Sequence, residues 1–344
     1  MIFKLLSGSV NIIAAAGAFL LSCVVNPAHV DFSSDSKDEP MAEDLYRIMS
    51  ATDTKDSTLY ALSSSYLYRI TDDGSGPFAE KLMENRDYLL SLLRDKAGNL
   101  VATGYRGLYK FTGTANRFSF DTIYTFNYPW YADKYTIDRG DIRFIDFDVK
   151  GNLLVVCWNG KKMVIDTVSE IKYSNFSELS IASSGDTVFL SLWSLNEPIS
   201  IFSRSGGKML SFHTLPYDSV VLQSSFSLNG KLYLILDVTG EMGFSGKDGD
   251  DFTSVTNKTI IARVAGEKLL YVTDYGQFYT RFIKSAPDEG WLFSNYHIMK
   301  ITPEKTVLKI NLNFNALLLD NSGSVVMFYA PTLRLIKLED LPEF

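Results

Sequence analysis

From about residue 45 onward the chain is built of short apolar runs, most of five to eight residues, in which hydrophobic and polar positions alternate or the run is wholly apolar. Period-two alternation predicts half-buried strands, and short continuous apolar runs closed by turn residues predict strands buried on both faces. Segment 94–113, RDKAGNLVATGYRGLYKFTG, is the clearest example. It divides into the end of one strand, a tight turn Asp95-x-x-Gly98-Asn99, a second strand LVATG and a third strand LYKF. Gly98 and Asn99 tolerate the positive φ that a hairpin turn asks for. Long helical periodicity is absent, and LYRIM at 45–49 and FAEKLMEN at 78–85 are the only stretches ambiguous between helix and strand.

This outline repeats. It returns at 57–70, 149–166, 183–202, 227–240, 287–301 and 321–338, with second strands beginning near Leu59, Leu100, Leu153, Val188, Leu232, Trp291 and Val325. The spacing averages roughly 44 residues, which suits four-stranded blades stacked in a ring. FSFDTIYTF, GKMLSFHTL, KLLYVTDYG and TVLKINL are the expected outermost strands. The last unit lacks one, so a segment near His29 to Ser33, or one just before Leu45, is expected to close the ring. The reading is an all-β chain forming a β-propeller, with seven four-stranded blades as the best count and six or eight also compatible. A Gly- and Asp-rich stretch, 240–257, lengthens the widest gap and reads as a flexible insertion.

The motif Asp95-x-x-Gly98-Asn99-Leu100, followed by Gly107-Leu108-Tyr109-x-Phe111, resembles blades of bacterial sensor-type and NHL-like propellers. The resemblance spans roughly residues 45–340. It implies the fold and carries no functional residue across, because one fold serves many unrelated activities.

The N-terminus has a different pattern. Residues 1–23, MIFKLLSGSVNIIAAAGAFLLSC, place Lys4 before an apolar stretch from Val10 to Leu21 that ends in Leu20-Leu21-Ser22-Cys23. The stretch is short of the roughly 20 residues that span a bilayer and has the length of a signal-peptide core. A small residue before Cys resembles the bacterial lipobox, with Leu20 at −3 and Ser22 at −1. That resemblance implies a signal peptide over 1–22 and a diacylglyceryl and acyl (palmitate-type) anchor on Cys23, with the membrane as partner. Residues 23–43 form a polar, acidic, Ser- and Pro-containing tether that buries too little apolar surface to fold. Residues 44–344 are the propeller domain, displayed at the bacterial cell envelope. An uncleaved N-terminal membrane helix is the alternative for residues 1–22.

Composition narrows the function. The chain is 46% hydrophobic and 13% aromatic, ample for a core, and its net charge of −7 with only three His offers no basic field for nucleic acid. The two cysteines are Cys23, assigned to lipid, and Cys157, read as a small buried hydrophobe, so no internal disulfide is expected.

In propellers the loops joining second to third strands, and those joining blades, share one face. On the spacing above, that face gathers Tyr105, Arg106, Trp158, Asn159, Trp193, Glu197, Tyr296 and His297. The inter-blade loop FNYPWYADKY adds Tyr128, Trp130 and Tyr131. Aromatic side chains with a polar handle suit protein, peptide or glycan ligands. Individually, Trp158 and Trp193 read as inter-blade packing; the set reads as a binding face.

Catalysis has less to stand on. His29 lies in the tether and His213 in an outer strand, leaving His297 as a lone histidine without a nucleophile motif. Asp146 and Asp148 share a strand face by their spacing, but Asp148 belongs to a turn. The run GKDGDDF at 246–252 lacks the spacing and terminal Glu of a calcium loop. The expected function is therefore a non-catalytic ligand- or protein-binding module with no cofactor. An envelope propeller hydrolase or lyase, with or without dependence on calcium, is the alternative.

Overall fold

Apolar runs bounded by turn residues become strands throughout the computed structural model, which describes residues 48–335 apart from short segments between strands. Cys23, the tether and the stretch 29–33 considered for ring closure lie outside the described residues. The first sheet is β1 (Ile48–Asp53), β2 (Leu59–Ser63), β3 (Tyr66–Asp72) and β4 (Pro77–Glu84). The second is β5 (Leu89–Arg94), β6 (Leu100–Gly104), β7 (Gly107–Thr114) and β8 (Arg117–Thr125). The third is β9 (Tyr135–Asp138), β10 (Asp141–Phe147), β11 (Asn152–Trp158) and β12 (Met163–Lys172), and the fourth β13 (Glu178–Ser184), β14 (Thr187–Trp193), β15 (Ile199–Ser205) and β16 (Lys208–Leu215).

The fifth sheet holds six strands: β17 (Val220–Leu228), β18 (Lys231–Val238), β19 (Glu241–Ser245), β20 (Phe252–Thr256), β21 (Thr259–Ala265) and β22 (Lys268–Tyr275). The sixth is β23 (Arg281–Ala286), β24 (Glu289–Phe293), β25 (His297–Ile301) and β26 (Thr306–Asn311). The seventh has three strands, β27 (Ala316–Leu319), β28 (Val325–Phe328) and β29 (Leu333–Leu335). Among the described residues there are thus six sheets of four or more strands and one of three. Both stretches that were ambiguous in sequence contribute strands, β1 beginning at Ile48 and β4 spanning Pro77–Glu84.

From the first sheet to the sixth, each interface between successive blades is a strip of apolar side chains. Tyr60 and Leu67 meet Leu92 and Tyr109 between the first two sheets. Leu93 and Leu108 meet Phe144 and Trp158 between the second and third. Phe147 and Val155 meet Leu179 and Leu190 between the third and fourth. The pattern continues through Leu215 with Leu234 and through Tyr233 with Met299. A blade is covered on both faces, so β6 is buried along its whole length and its sequence, LVATG, shows no alternation. The outer strand β12 is exposed at intervals and keeps a mixed polar pattern. The ring closes where β27 packs on β1 and β29 approaches β4. Closure of this kind removes all long sheet edges except the outer rims.

The third blade departs from the sequence reading. Leu153 is not in its second strand. The short strand β9 supplies the innermost position, so β10 is second, β11 third and β12 outermost. The turn between β9 and β10 is made by Arg139 and Gly140, both at positive φ (52° and 77°). This shift of one strand sends the turns of this blade to the faces opposite those expected from the spacing.

The insertion at 240–257 also differs from the flexible segment expected. Its two ends, β19 and β20, pair as an antiparallel hairpin, and Ser245 bridges in parallel to Leu270 of β22. Phe244 and Val255 are buried in the core shared by the fourth and fifth blades. The apolar Phe and Val were the signal that this segment packs; the Gly and Asp between them, at 246–251, lie outside the described residues.

Candidate functional site

The D-x-x-G-N motif occurs twice with the same local geometry. Oδ1 of Asp95 accepts from the backbone N–H of Ala97 and Asn99, both at 2.9 Å, and both its oxygens accept from the Asn99 amide. Oδ1 of Asp148 accepts from Lys150 and Asn152 N–H, both at 2.8 Å, and the Asn152 amide donates to Oδ2. Only the glycine of each motif takes positive φ, 82° at Gly98 and 76° at Gly151; Asn99 and Asn152 serve instead as side-chain clamps. The hydrogen bond from Asn152, reinforced by the backbone donors, holds the Asp148 carboxyl below the usual carboxylate range.

The two turns sit on opposite faces of the ring. The Asp95 turn joins first and second strands and lies beside the Lys55 turn of blade one, whose backbone N–H bonds to Gly98 O at 3.0 Å. The Asp148 turn joins second and third strands and lies beside the inter-blade loops, with Tyr173 N donating to Gly151 O at 3.0 Å. The face carrying the Asp148 turn and the inter-blade loops is called the upper face below.

Trp158 and Asn159 therefore leave the candidate site. Trp158 is buried between the second and third blades, and its indole N–H donates to Asp95 Oδ2 at 3.1 Å on the lower face. Asn159 closes the neighbouring turn by accepting from Lys161 and Lys162 N–H. The inserted strand β9, which the repeat spacing concealed, is the cause.

On the upper face, Tyr105 and Arg106 form the exposed tip of the β6–β7 hairpin. The Arg106 carbonyl accepts from Phe126 N–H at 3.1 Å, tying this tip to the start of the aromatic loop. That loop is then pinned by Asp146, which is fully buried at the end of β10. Its carboxylate accepts from Asn127 N–H at 2.8 Å, Tyr128 N–H at 2.9 Å and the Tyr124 hydroxyl at 2.9 Å. Burial and the adjacent carboxylate push the Tyr124 phenol well above its ordinary range, so it stays protonated as a donor. Asp146 and Asp148 thus do not form a pair; each is occupied by its own backbone donors.

The loop turns through a short 3-10 segment at Pro129–Tyr131. Tyr128 and Tyr131 pack on the buried Phe147 at ring distances of 5.6 and 5.2 Å. The backbone of Trp130 lies in the same turn, while its side chain is outside the described residues. Two rings that the repeat reading passed over complete the cluster. Tyr173 lies 5.0 Å from Tyr128 and 5.3 Å from Phe147, and Phe176 stacks on Phe147 at 5.9 Å. Both come from the loop between β12 and β13, the counterpart one blade on of FNYPWYADKY, and that equivalence was available once the blade was correctly phased. Beside them Lys134 Nζ stands 3.4 Å from Glu178 Oε2. Burial, then the neighbouring Tyr173 and Glu178, pushes the Tyr131 phenol up to about 12.

The remaining candidates are more scattered. Trp193 ends β14 and packs against the fourth-to-fifth blade core, and its buried indole N–H has no acceptor among the described residues. Glu197 is exposed in the following loop. His297 opens β25, with its side chain outside the described residues, as is Tyr296. Cys157 is half-buried rather than in the core, and burial raises its thiol pKa, so it carries little thiolate at neutral pH. Among the described residues no three His, Cys, Asp or Glu side chains gather as a metal-binding group.

No family description and no curated protein sequence matches the chain. Among solved structures, the N-terminal domain of Nup159 is similar over 82% of this chain and 86% of its own, at 11% identity and a TM-score of 0.52. The extracellular domain of a putative one-component system from B. thetaiotaomicron matches over 86% of this chain at 14% identity and a TM-score of 0.45, and the chain spans only 40% of that domain's length. Virginiamycin B lyase from Staphylococcus aureus matches over 78% of this chain and 96% of its own, at 14% identity and a TM-score of 0.43. At such identities the likeness extends to architecture alone, and the chain is a β-propeller of four-stranded blades.

Proposed function

We propose that this protein is a lipid-anchored propeller of the bacterial envelope that binds a ligand on its upper face without transforming it. The single observation that carries the binding role is the ring cluster around Phe147. Tyr128 and Tyr131, on a loop fixed by the buried Asp146 carboxylate, meet there with Tyr173 and Phe176 of the next inter-blade loop, the tyrosines partly open to solvent. A cluster of partly exposed aromatic rings with polar handles is what a recognition face offers. The non-catalytic part of the reading is supported by where the nearby carboxylates are engaged. Asp146 and Asp148 hold backbone N–H groups, and Glu178 faces Lys134. The anchor rests on the Leu20-Leu21-Ser22-Cys23 pattern, and the acidic tether would hold the domain near the membrane.

Two experiments test this. Mass spectrometry of the mature chain is expected to find an N-terminal Cys23 carrying a diacylglyceryl group; an unmodified Cys23 or an intact Met1 removes the anchor. A pull-down from envelope extract comparing wild type with Trp130→Ala/Tyr131→Ala is expected to lose its specific partner in the variant. Identical profiles remove the aromatic loop from the binding face.

A further inference from the structure

We infer that the upper-face site takes an uncharged oligosaccharide, with the open face of Tyr173 as the stacking platform. The inference rests on the binding role proposed above and names the chemistry of its ligand. Tyr173 is 42% exposed, yet its ring is not free to move. Tyr128 backs it at 5.0 Å with an interplanar angle of 32°, and it meets Phe147 at 85° and Tyr131 at 89°. Three rings therefore fix its orientation before any ligand arrives, which removes the rotamer entropy that binding would otherwise cost. A flat aromatic face of this kind complements the C–H face of a pyranose ring, which is apolar across the ring and ringed by hydroxyls.

The polar groups beside the platform fit the same ligand. Tyr131 keeps its phenolic proton and can donate to a sugar oxygen. The Glu178 carboxylate is 45% exposed and gives one oxygen to Lys134, which leaves acceptor capacity for hydroxyl groups. Lys134 and Glu178 also cancel each other's charge at 3.4 Å, so an anionic or cationic ligand would have to compete with an existing pair. An extended peptide is the competing ligand class, because its main recognition mode adds a strand to a free sheet edge and Tyr173 directly follows the outermost strand β12; the planar ring face, rather than that edge, is what favours a sugar.

The test uses the full chain purified in detergent on an array of neutral gluco-, galacto-, manno- and xylo-oligosaccharides, uronate-containing oligosaccharides and unrelated peptides. Calorimetric titration of the best binder follows, with Tyr173→Phe, Tyr173→Leu and Tyr173→Ala. Thermal melts identify any variant that fails to fold, and Tyr173→Leu keeps most of the volume while removing the flat ring. The expected result is binding of a neutral oligosaccharide that Tyr173→Phe retains and that Tyr173→Leu or Tyr173→Ala weakens by about tenfold or more. Preference for an acidic oligosaccharide or a peptide, lost in Tyr173→Leu, overturns the neutral-glycan inference and leaves the binding face standing. Binding that no Tyr173 substitution alters overturns the inference, and binding that Trp130→Ala/Tyr131→Ala also leaves unaltered overturns the binding face as well; absence of binding to every neutral oligosaccharide overturns the inference.

Discussion

The aromatic loop depends on one carboxylate, and replacing Asp146 measures how strongly. Its Oδ2 accepts from Asn127 N–H at 2.8 Å and the Tyr124 hydroxyl at 2.9 Å, while Oδ1 accepts from Tyr128 N–H at 2.9 Å. Asp146→Asn preserves shape but offers one acceptor oxygen. With the amide oxygen in the Oδ2 position two bonds survive, and the amide NH2 then faces the Tyr128 N–H, donor against donor. Losing one charge-assisted bond costs about 1.5–3 kcal/mol, and an unsatisfied N–H adds to that, so a destabilisation of about 2–4 kcal/mol is expected. Asp146→Ala removes all three and is expected to cost about 4–5 kcal/mol, less than three independent bonds because the exposed loop can turn its N–H groups to water. Urea unfolding of the full chain, followed by tryptophan fluorescence, reads this as a lower midpoint at unchanged slope. An Asn variant within about 0.5 kcal/mol of wild type would refute the reasoning, since that is the range of an ordinary surface substitution.

Three further outcomes follow from the same geometry. Trp158→Phe removes the indole donor to Asp95 and is expected to cost about 2 kcal/mol in urea unfolding while leaving upper-face ligand binding unchanged; a change in affinity would place Trp158 back at the site. Phe244→Ala empties a fully buried position and is expected to cost about 3–5 kcal/mol, with the backbone amides of β19 and β20 losing protection in hydrogen exchange; unaltered protection would mean the hairpin is not held by that ring. The folded-state pKa of Asp148 is depressed, so its contribution is present above the unfolded value and is lost as pH falls through the folded one. Asp148→Asn is therefore expected to flatten the fall in melting temperature below about pH 4, and an unchanged acid limb would contradict that.

Much of the architecture was legible along the chain because strand formation here is a local affair. Alternation, buried apolar runs and a spacing of roughly 44 residues were enough to identify a propeller, and the loop FNYPWYADKY announced itself by composition. The same locality set the limit of what the motifs could tell. Asp95-x-x-Gly98-Asn99 and Asp148-x-x-Gly151-Asn152 build the same turn from the same hydrogen bonds, yet one joins first to second strands and the other second to third. Nothing within either motif encodes which face it reaches. That was decided by β9, a four-residue strand of modest pattern whose place is set by pairing with β10 and packing beside β13.

What the sequence determined by itself was most of the strands, the local form of the turns between them and the repeat that makes a ring. What only the tertiary structure decided was the phase of the third blade. Phase is a non-local property, fixed when a sheet chooses which strand faces the axis and buries its apolar faces against both neighbours. From it follow the removal of Trp158 and Asn159 to the lower face and the arrival of Tyr173 and Phe176 beside Tyr128 and Tyr131.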